Sequence, residues 1–204
     1  MAWNCTISPK ILDLVVEISC ELVRSTQRGA LRPEPKLRRT ARAKSLHGTA
    51  AIEGNTLSIE QVDAVLDGRS VGAIHKREVL EVRNAAKVYD LAANLDGFST
   101  KDFLRAHKIM MNDLVSPAGK FRTGQVGVWQ DGKVRHMAPP AKRVPQLVED
   151  LFKNLRSAKD LPLLVRAAIA HYEIEFIHPF SDGNGRMGRL WQHVILLQES
   201  PLFA

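Results

Sequence analysis

The chain has 204 residues, 45% hydrophobic and 25% charged, with 29 Lys and Arg against 22 Asp and Glu for a formal net charge of +7. That length suits one well-buried domain with or without a small extension, and the balance of apolar and charged residues excludes disorder over most of it. No apolar run approaches a membrane span, the start "MAWNCTISPKILDLVVEI" has no basic segment before a cleavable apolar core, and Cys5 and Cys20 alone are too few for a disulfide framework or a metal cluster.

A cytoplasmic protein with two free thiols is therefore expected. The positive charge favours phosphates on a nucleotide, a nucleic acid or a lipid surface without choosing among them. Apolar residues recur at helical spacing through most of the chain, which predicts an all-α fold. From Pro9 to about Arg28, Ile11, Leu12, Val15, Val16, Ile18, Leu22 and Val23 form one stripe, and Pro33 and Pro35 mark a break. A second helix is expected over 36–53, stopping at Gly54-Asn55, residues that take the left-handed conformation past a helix end. Its basic start, with Lys36, Arg38, Arg39, Arg42 and Lys44, reads as a solvated helix face. Ser58 opens a short helix with Gln61 as its capping-box partner. Helices over 73–95 and 99–115 follow. "QVGVWQDGKVRHM", Gln125 to Met137, alternates around Asp131-Gly132 and predicts a two-residue hairpin. Three more helices are expected over 144–158, 161–177 and from within a glycine cluster to about Gln198. The final "SPLFA" has neither a cap nor a charged terminus, as expected for a piece of a longer chain.

That glycine cluster, "HPFSDGNGRMGR", runs from His178 to Arg189 and places Gly183, Gly185 and Gly188 at G-x-G-x-x-G spacing. A dinucleotide turn needs a strand ahead of its glycines and an acidic residue roughly 20 positions downstream. Here the preceding segment is helical in period and the chain ends at Ala204, so that reading is rejected. The residues still suit an anion. Pro179 turns His178 out of the preceding helix, Asp182 is placed to start the next, and Gly183 and Gly185 leave the backbone N–H groups of a helix N-terminus open to a phosphate. Arg186 and Arg189 lie one turn apart and share a face from which both can grip a polyphosphate. Residue by residue, a helix cap, solvated arginines and a turn histidine would suffice; a base, a carboxylate suited to Mg²⁺, an amide, glycines and two arginines in one segment are poorly explained that way.

The cluster resembles the signature of Fic-domain proteins, HPF-x-[DE]-GNGR-x-x-R, at every defined position. "GKFRTGQVGVWQDGKVRHMAPP", Gly119 to Pro140, is similar to the family's GxxR segment and flap hairpin. The resemblance implies an all-α Fic-type helical bundle with one small β-hairpin, and transfer of AMP from ATP to a Ser, Thr or Tyr hydroxyl of a target protein with loss of pyrophosphate. In that reading His178 is the general base, Asp182 holds Mg²⁺, and Asn184 helps position the α-phosphate. Gly183, Gly185 and the helix N-terminus form the anion hole, and Arg186 and Arg189 bind the β and γ phosphates. Phe180 anchors the loop in the core. The flap, with Val126, Val128, Val134 and His136, would add an extended target segment as a further strand.

"TAAIEGN" ends the second helix with Glu53, a carboxylate at the negative end of a helix dipole, which a cation elsewhere would explain. Thr49, Glu53 and Gly54 also resemble the inhibitory motif [ST]-x-x-x-E-[GN] of the Fic subclass with an N-terminal inhibitory helix. The resemblance implies that Glu53 pairs with Arg189 and denies ATP its productive pose, or that it serves AMP removal by positioning water. It further implies N-terminal helices including the inhibitory one over 1–60 and a catalytic core over 61–204. ATP and Mg²⁺ are the implied co-substrate and metal. The other readings are AMP removal, transfer of another phosphate-linked group, and a nucleic-acid-binding regulatory module suggested by the basic segment or by a further C-terminal domain. A homo-oligomer formed through helices flanking the inhibitory segment would couple assembly to activity.

Overall fold

The helical period sorts the apolar residues onto one face of most segments, and those faces meet around α8 (Asn184–Glu199). A computed structural model describes residues 6–27, 35–72, 75–130, 133–200 and 203. Ahead of α8 come α1 (Pro9–Gln27), α2 (Pro35–Ile52), α3 (Ile59–Leu66), α4 (Lys76–Asp90), α5 (Thr100–Met110), α6 (Val144–Ser157) and α7 (Leu163–Ile177). A two-stranded antiparallel sheet, β1 (Gly127–Gln130) and β2 (Lys133–Met137), stands between α5 and α6. The all-α expectation with one hairpin holds, and the Asp131-Gly132 turn itself lies outside the described residues.

Met187, Leu190, Trp191, Val194 and Ile195 of α8 are fully buried against α7, α5 and the short 3₁₀ turn Ala92–Asn94. Phe103 of α5 meets Phe152 and Trp191 edge-on, with ring centroids 5.4 and 4.9 Å apart, each such pair contributing about 0.5–1.5 kcal/mol beyond its buried area. Trp191 Nε1 donates to the Gly97 carbonyl at 2.8 Å, so the indole's one polar atom is satisfied inside the core. Leu46 and Ala50 of α2 belong to the same apolar cluster, which seats the end of α2 against the body of the fold.

The caps follow local chemistry. Ser58 accepts from the Gln61 N–H while the Gln61 side chain accepts from the Ser58 N–H, the reciprocal box expected at α3. Gly54, with φ 87°, ends α2 as expected. Ser99 caps α5 through the Asp102 N–H. The expected helix over 99–115 stops at Met110, because Asp113 takes a left-handed φ of 57° that no α-helix continues through. Likewise the helix expected over 73–95 runs as α4 and then the 3₁₀ turn; residues 73–74 lie outside the described set.

The basic start of α2 is exposed, and part of its charge is matched: Arg39 makes a forked pair with Asp63 at 2.8–2.9 Å and reaches Asp67, and Arg42 reaches Asp90. The stripe on α1 does not enter the core, with Leu12 48% and Val16 60% exposed. Among the described residues no helix is long and apolar enough to cross a membrane, and Cys20 is a free, exposed thiol while Cys5 lies outside them.

Candidate active site

The loop between α7 and α8 is shaped by its two ends. His178 sits just past α7 with φ 50° and ψ 61°, its N–H donating to Ile174 O at 2.9 Å. The turn forced by Pro179 is thus a left-handed helix cap occupied by a histidine. His178 Nδ1 lies 3.3 Å from Glu175 O. A carbonyl only accepts, so in the neutral tautomer that this contact suits Nδ1 carries the proton and the lone pair is on Nε2.

At the other end Asp182 is not the cap of α8, contrary to expectation. Gly183 holds that position with φ 81°, and a Cβ there would lie 2.6 Å from Met111 Sδ, so the turn is too tight for a side chain. Asp182 is displaced one residue outward, where its Oδ1 accepts from the Gly183 N–H at 2.6 Å and faces Arg186 Nη2 at 3.4 Å. Oδ2 carries no bond among the described residues.

Asn184 lies in the first turn of α8. Its side chain is buried with both ends engaged, Oδ1 accepting from Phe180 N at 2.8 Å and Nδ2 donating to Phe180 O at 2.9 Å. The amide clamps the loop with Oδ1 and one of its two N–H donors, and Asn184 also presents its backbone N–H in the first turn of α8, where helical N–H groups lack i−4 acceptors. Phe180 is fully buried, as expected of a core anchor.

Two residues that sequence reasoning passed over hold this loop. His107 of α5 is fully buried, stacks on Phe180 at 3.6 Å between centroids, accepts from Gly119 N at 2.8 Å through Nδ1, and donates to Asp182 O at 3.1 Å through Nε2. Burial pushes it down to about 4, so it stays neutral, which this pattern of one acceptor and one donor requires. Arg122 is also buried. Its guanidinium donates to His178 O at 2.7 Å, Gly124 O at 2.8 Å, Pro139 O and Ile177 O, and its own N–H donates to Pro179 O at 3.0 Å. Burial lowers its pKa without removing its charge. A buried arginine spent wholly on carbonyls is a staple, here joining the feet of the hairpin to the His178 loop. The signal in the sequence was the arginine of the Gly119–Arg122 segment.

On α8, Gly185 is packed so closely that a Cβ would sit 2.6 Å from Glu53 Oε1. Arg186 is buried, with Glu81 Oε1 3.9 Å from Nη1 and its Nε without a partner among the described residues. Arg189 Nη2 donates to Glu53 Oε1 at 2.6 Å, and its Nε donates to Thr49 Oγ1 at 2.8 Å. The predicted pairing of Glu53 with Arg189 is present, with Thr49 as a second point of contact. Asn55, just beyond Gly54, donates to Glu81 Oε2 at 3.0 Å and Glu78 O at 3.1 Å. Glu78 also accepts from the Thr56 hydroxyl and N–H and from His75, which hold it down to about 2. The segment after Glu53 is thereby fastened to α4.

The hairpin pairs Gly127 with Met137 and Val128 with His136, with an irregularity between Val128 and Trp129. Ala138 N donates to Val126 O at 3.1 Å, extending the ladder at its foot. The side chains of Val128, Val134 and His136 lie outside the described set.

The structure is thus an all-helical domain in which a histidine-bearing loop closes onto a helix N-terminus beside two arginines. Residues 97–196 match the Fic/DOC family, and the chain belongs to it. It is similar to protein adenylyltransferase fic-1 of Caenorhabditis briggsae, 32% identical over 94% of this chain and 38% of that protein. The protein adenylyltransferase Fic of Aedes aegypti is 32% identical over 75% of this chain and 32% of its own length. A crystal structure of a Fic family protein from Desulfovibrio desulfuricans superposes with a TM-score of 0.91 at 46% identity, over 98% of this chain and 61% of that one. The chain thus spans well under half the length of these curated relatives.

Proposed function

We propose that this chain transfers AMP from ATP to a Ser, Thr or Tyr hydroxyl of a target protein, and that Glu53 restrains the reaction. The carrying observation is the joining of His178 to the N-terminus of α8 through one short braced loop. In this reading Nε2 takes the proton of the target hydroxyl, whose oxygen bonds to the α-phosphorus as the bond to the β-phosphate breaks and pyrophosphate leaves. The N–H groups of Asn184, Gly185 and Arg186 face the charge that develops on the phosphate. The unpartnered Nε of buried Arg186 is a donor suited to a phosphate oxygen.

Mg²⁺ fits the remaining donor set. Asp182 has a side chain 45% exposed with Oδ2 open, and one carboxylate plus substrate phosphates is how this ion is usually held. When bound, the ion neutralises charge on the phosphates; Asp182 would hold it.

The restraint follows from the pair at 2.6 Å. With Arg189 occupied, a γ-phosphate meets a carboxylate instead of a guanidinium, and an α-phosphate out of line with the hydroxyl reacts slowly. The open edges of the hairpin support docking of the target segment by main-chain pairing. AMP removal is a second reading, supported by Glu53 Oε2, which carries no bond among the described residues and could orient water.

The test is transfer of label from ATP labelled at the α-phosphate, comparing the intact chain, Glu53→Gly, and Glu53→Gly with His178→Ala. Label on protein is expected to appear with the first substitution and vanish with the second. ATP binding without label in any of the three would sink the transfer reading in favour of AMP removal.

A further inference from the structure

Several arginines of the helical body are paired with carboxylates, whereas a group of cations at the feet of the hairpin is not. Arg39 and Arg42 of α2, Arg156 of α6 and Arg166 of α7 are each paired with a carboxylate at 2.6–2.9 Å. From Thr100 to Arg143 the sequence holds nine Lys and Arg against three Asp. Of these, Arg105, Lys108, Lys120, Lys142 and Arg143 are exposed and have no acidic partner among the described residues. Asp113 is held by the Asn112 amide.

Their placement follows the ribbon. Gly119 is packed on Lys108, where a Cβ would come within 2.7 Å of the Lys108 Cβ, so Lys108 lies beside the segment that carries Lys120 and leads into β1. Lys142 and Arg143 follow the other foot, after Pro139, whose carbonyl accepts from Arg122. That same guanidinium holds His178 O, which ties the segment after Lys120 and the segment before Lys142 and Arg143 to the His178 loop. The two-stranded sheet also leaves one edge of each strand without a partner among the described residues.

We propose that this surface selects acidic protein segments: an extended stretch pairs by main chain along the hairpin edge, and Asp or Glu residues flanking its Ser, Thr or Tyr are drawn by Lys108, Lys120, Lys142 and Arg143. The inference rests on the AMP-transfer reading and names its substrate class. An unpaired strand edge matches polypeptide backbone, which supplies alternating donors and acceptors; a nucleic-acid backbone supplies only acceptors. That favours an acidic peptide over a nucleic acid as the occupant.

The experiment measures binding and transfer separately on the Glu53→Gly protein. Three fluorescent peptides carry one Thr between acidic, neutral or lysine flanks, and anisotropy without nucleotide reports their affinities. The acidic peptide is expected to bind about ten-fold tighter than the neutral one at low salt, converging with it near 1 M, where screening reaches about 3 Å. Lys108→Glu with Lys120→Glu, Lys142→Glu and Arg143→Glu should turn the preference to the lysine peptide. Equal binding of acidic and neutral peptides, a preference surviving charge reversal, or stronger binding of single-stranded DNA than of the acidic peptide overturns the proposal. Peptide binding without label from ATP would instead count against the transfer reading alone.

Discussion

Replacing Arg122 separates what a charge does from what a planar fork does. The side chain is 6% exposed and donates to four carbonyls, those of residues 124, 139, 177 and 178. Hydrogen bonds from a charged donor contribute about 1.5–3 kcal/mol each, but water reaches some of the freed carbonyls, so Arg122→Met should cost about 3–5 kcal/mol. For a domain of this size that lowers Tm by roughly 10 °C. Arg122→Lys keeps the charge and reaches fewer of the four carbonyls. It should cost about 1–2 kcal/mol, while kcat for AMP transfer in the Glu53→Gly background falls more than ten-fold, because a looser His178 loses its alignment. Thermal unfolding by circular dichroism and initial rates of labelling supply the two numbers. Arg122→Lys with wild-type kcat would refute the claim that this staple sets the position of the base.

Thr49→Val removes the hydroxyl that accepts from Arg189 Nε while leaving Glu53 in place, so basal labelling should rise, though less than in Glu53→Gly; no rise would mean that Thr49 plays no part in the restraint. His107 has its pKa lowered from 6.5 to about 4, so the unfolded chain binds the extra proton between those values. Its contribution is therefore complete above about pH 6.5 and is lost as pH falls toward 4, amounting to about 3 kcal/mol. Urea unfolding of metal-free protein should show that loss, and His107→Gln should flatten the profile over the same window.

Periodicity placed most of the helices, and the Ser58 capping box and the Gly54 stop were legible because a cap is chemistry among neighbours in the chain. The signature from His178 to Arg189 was legible for the same reason. What failed depended on distance or on fine conformation. Asp182 is a good cap by residue type, yet the left-handed Gly183 displaced it. That the Asn184 side chain would bind both backbone groups of Phe180, four residues back, is a detail of loop conformation that residue spacing does not encode. His107 reaches Asp182 across 75 positions and Arg122 reaches His178 across 56, which no local pattern encodes. The Glu53 and Arg189 pair spans 136 positions and was foreseen only through the resemblance. The apolar stripe of α1 had the period of a packed helix, but period alone does not say what covers it.

The left-handed backbone of His178 sets stability against the role proposed for its side chain within a single residue. A side chain in that conformation costs about 1–2 kcal/mol that glycine would not incur, which is why helices so often end in glycine there. Selection for stability alone would therefore replace this histidine, and with it the only imidazole in the loop. In the proposed reaction that conformational load turns the ring out of the helix at the point where the loop leads into the N-terminus of α8.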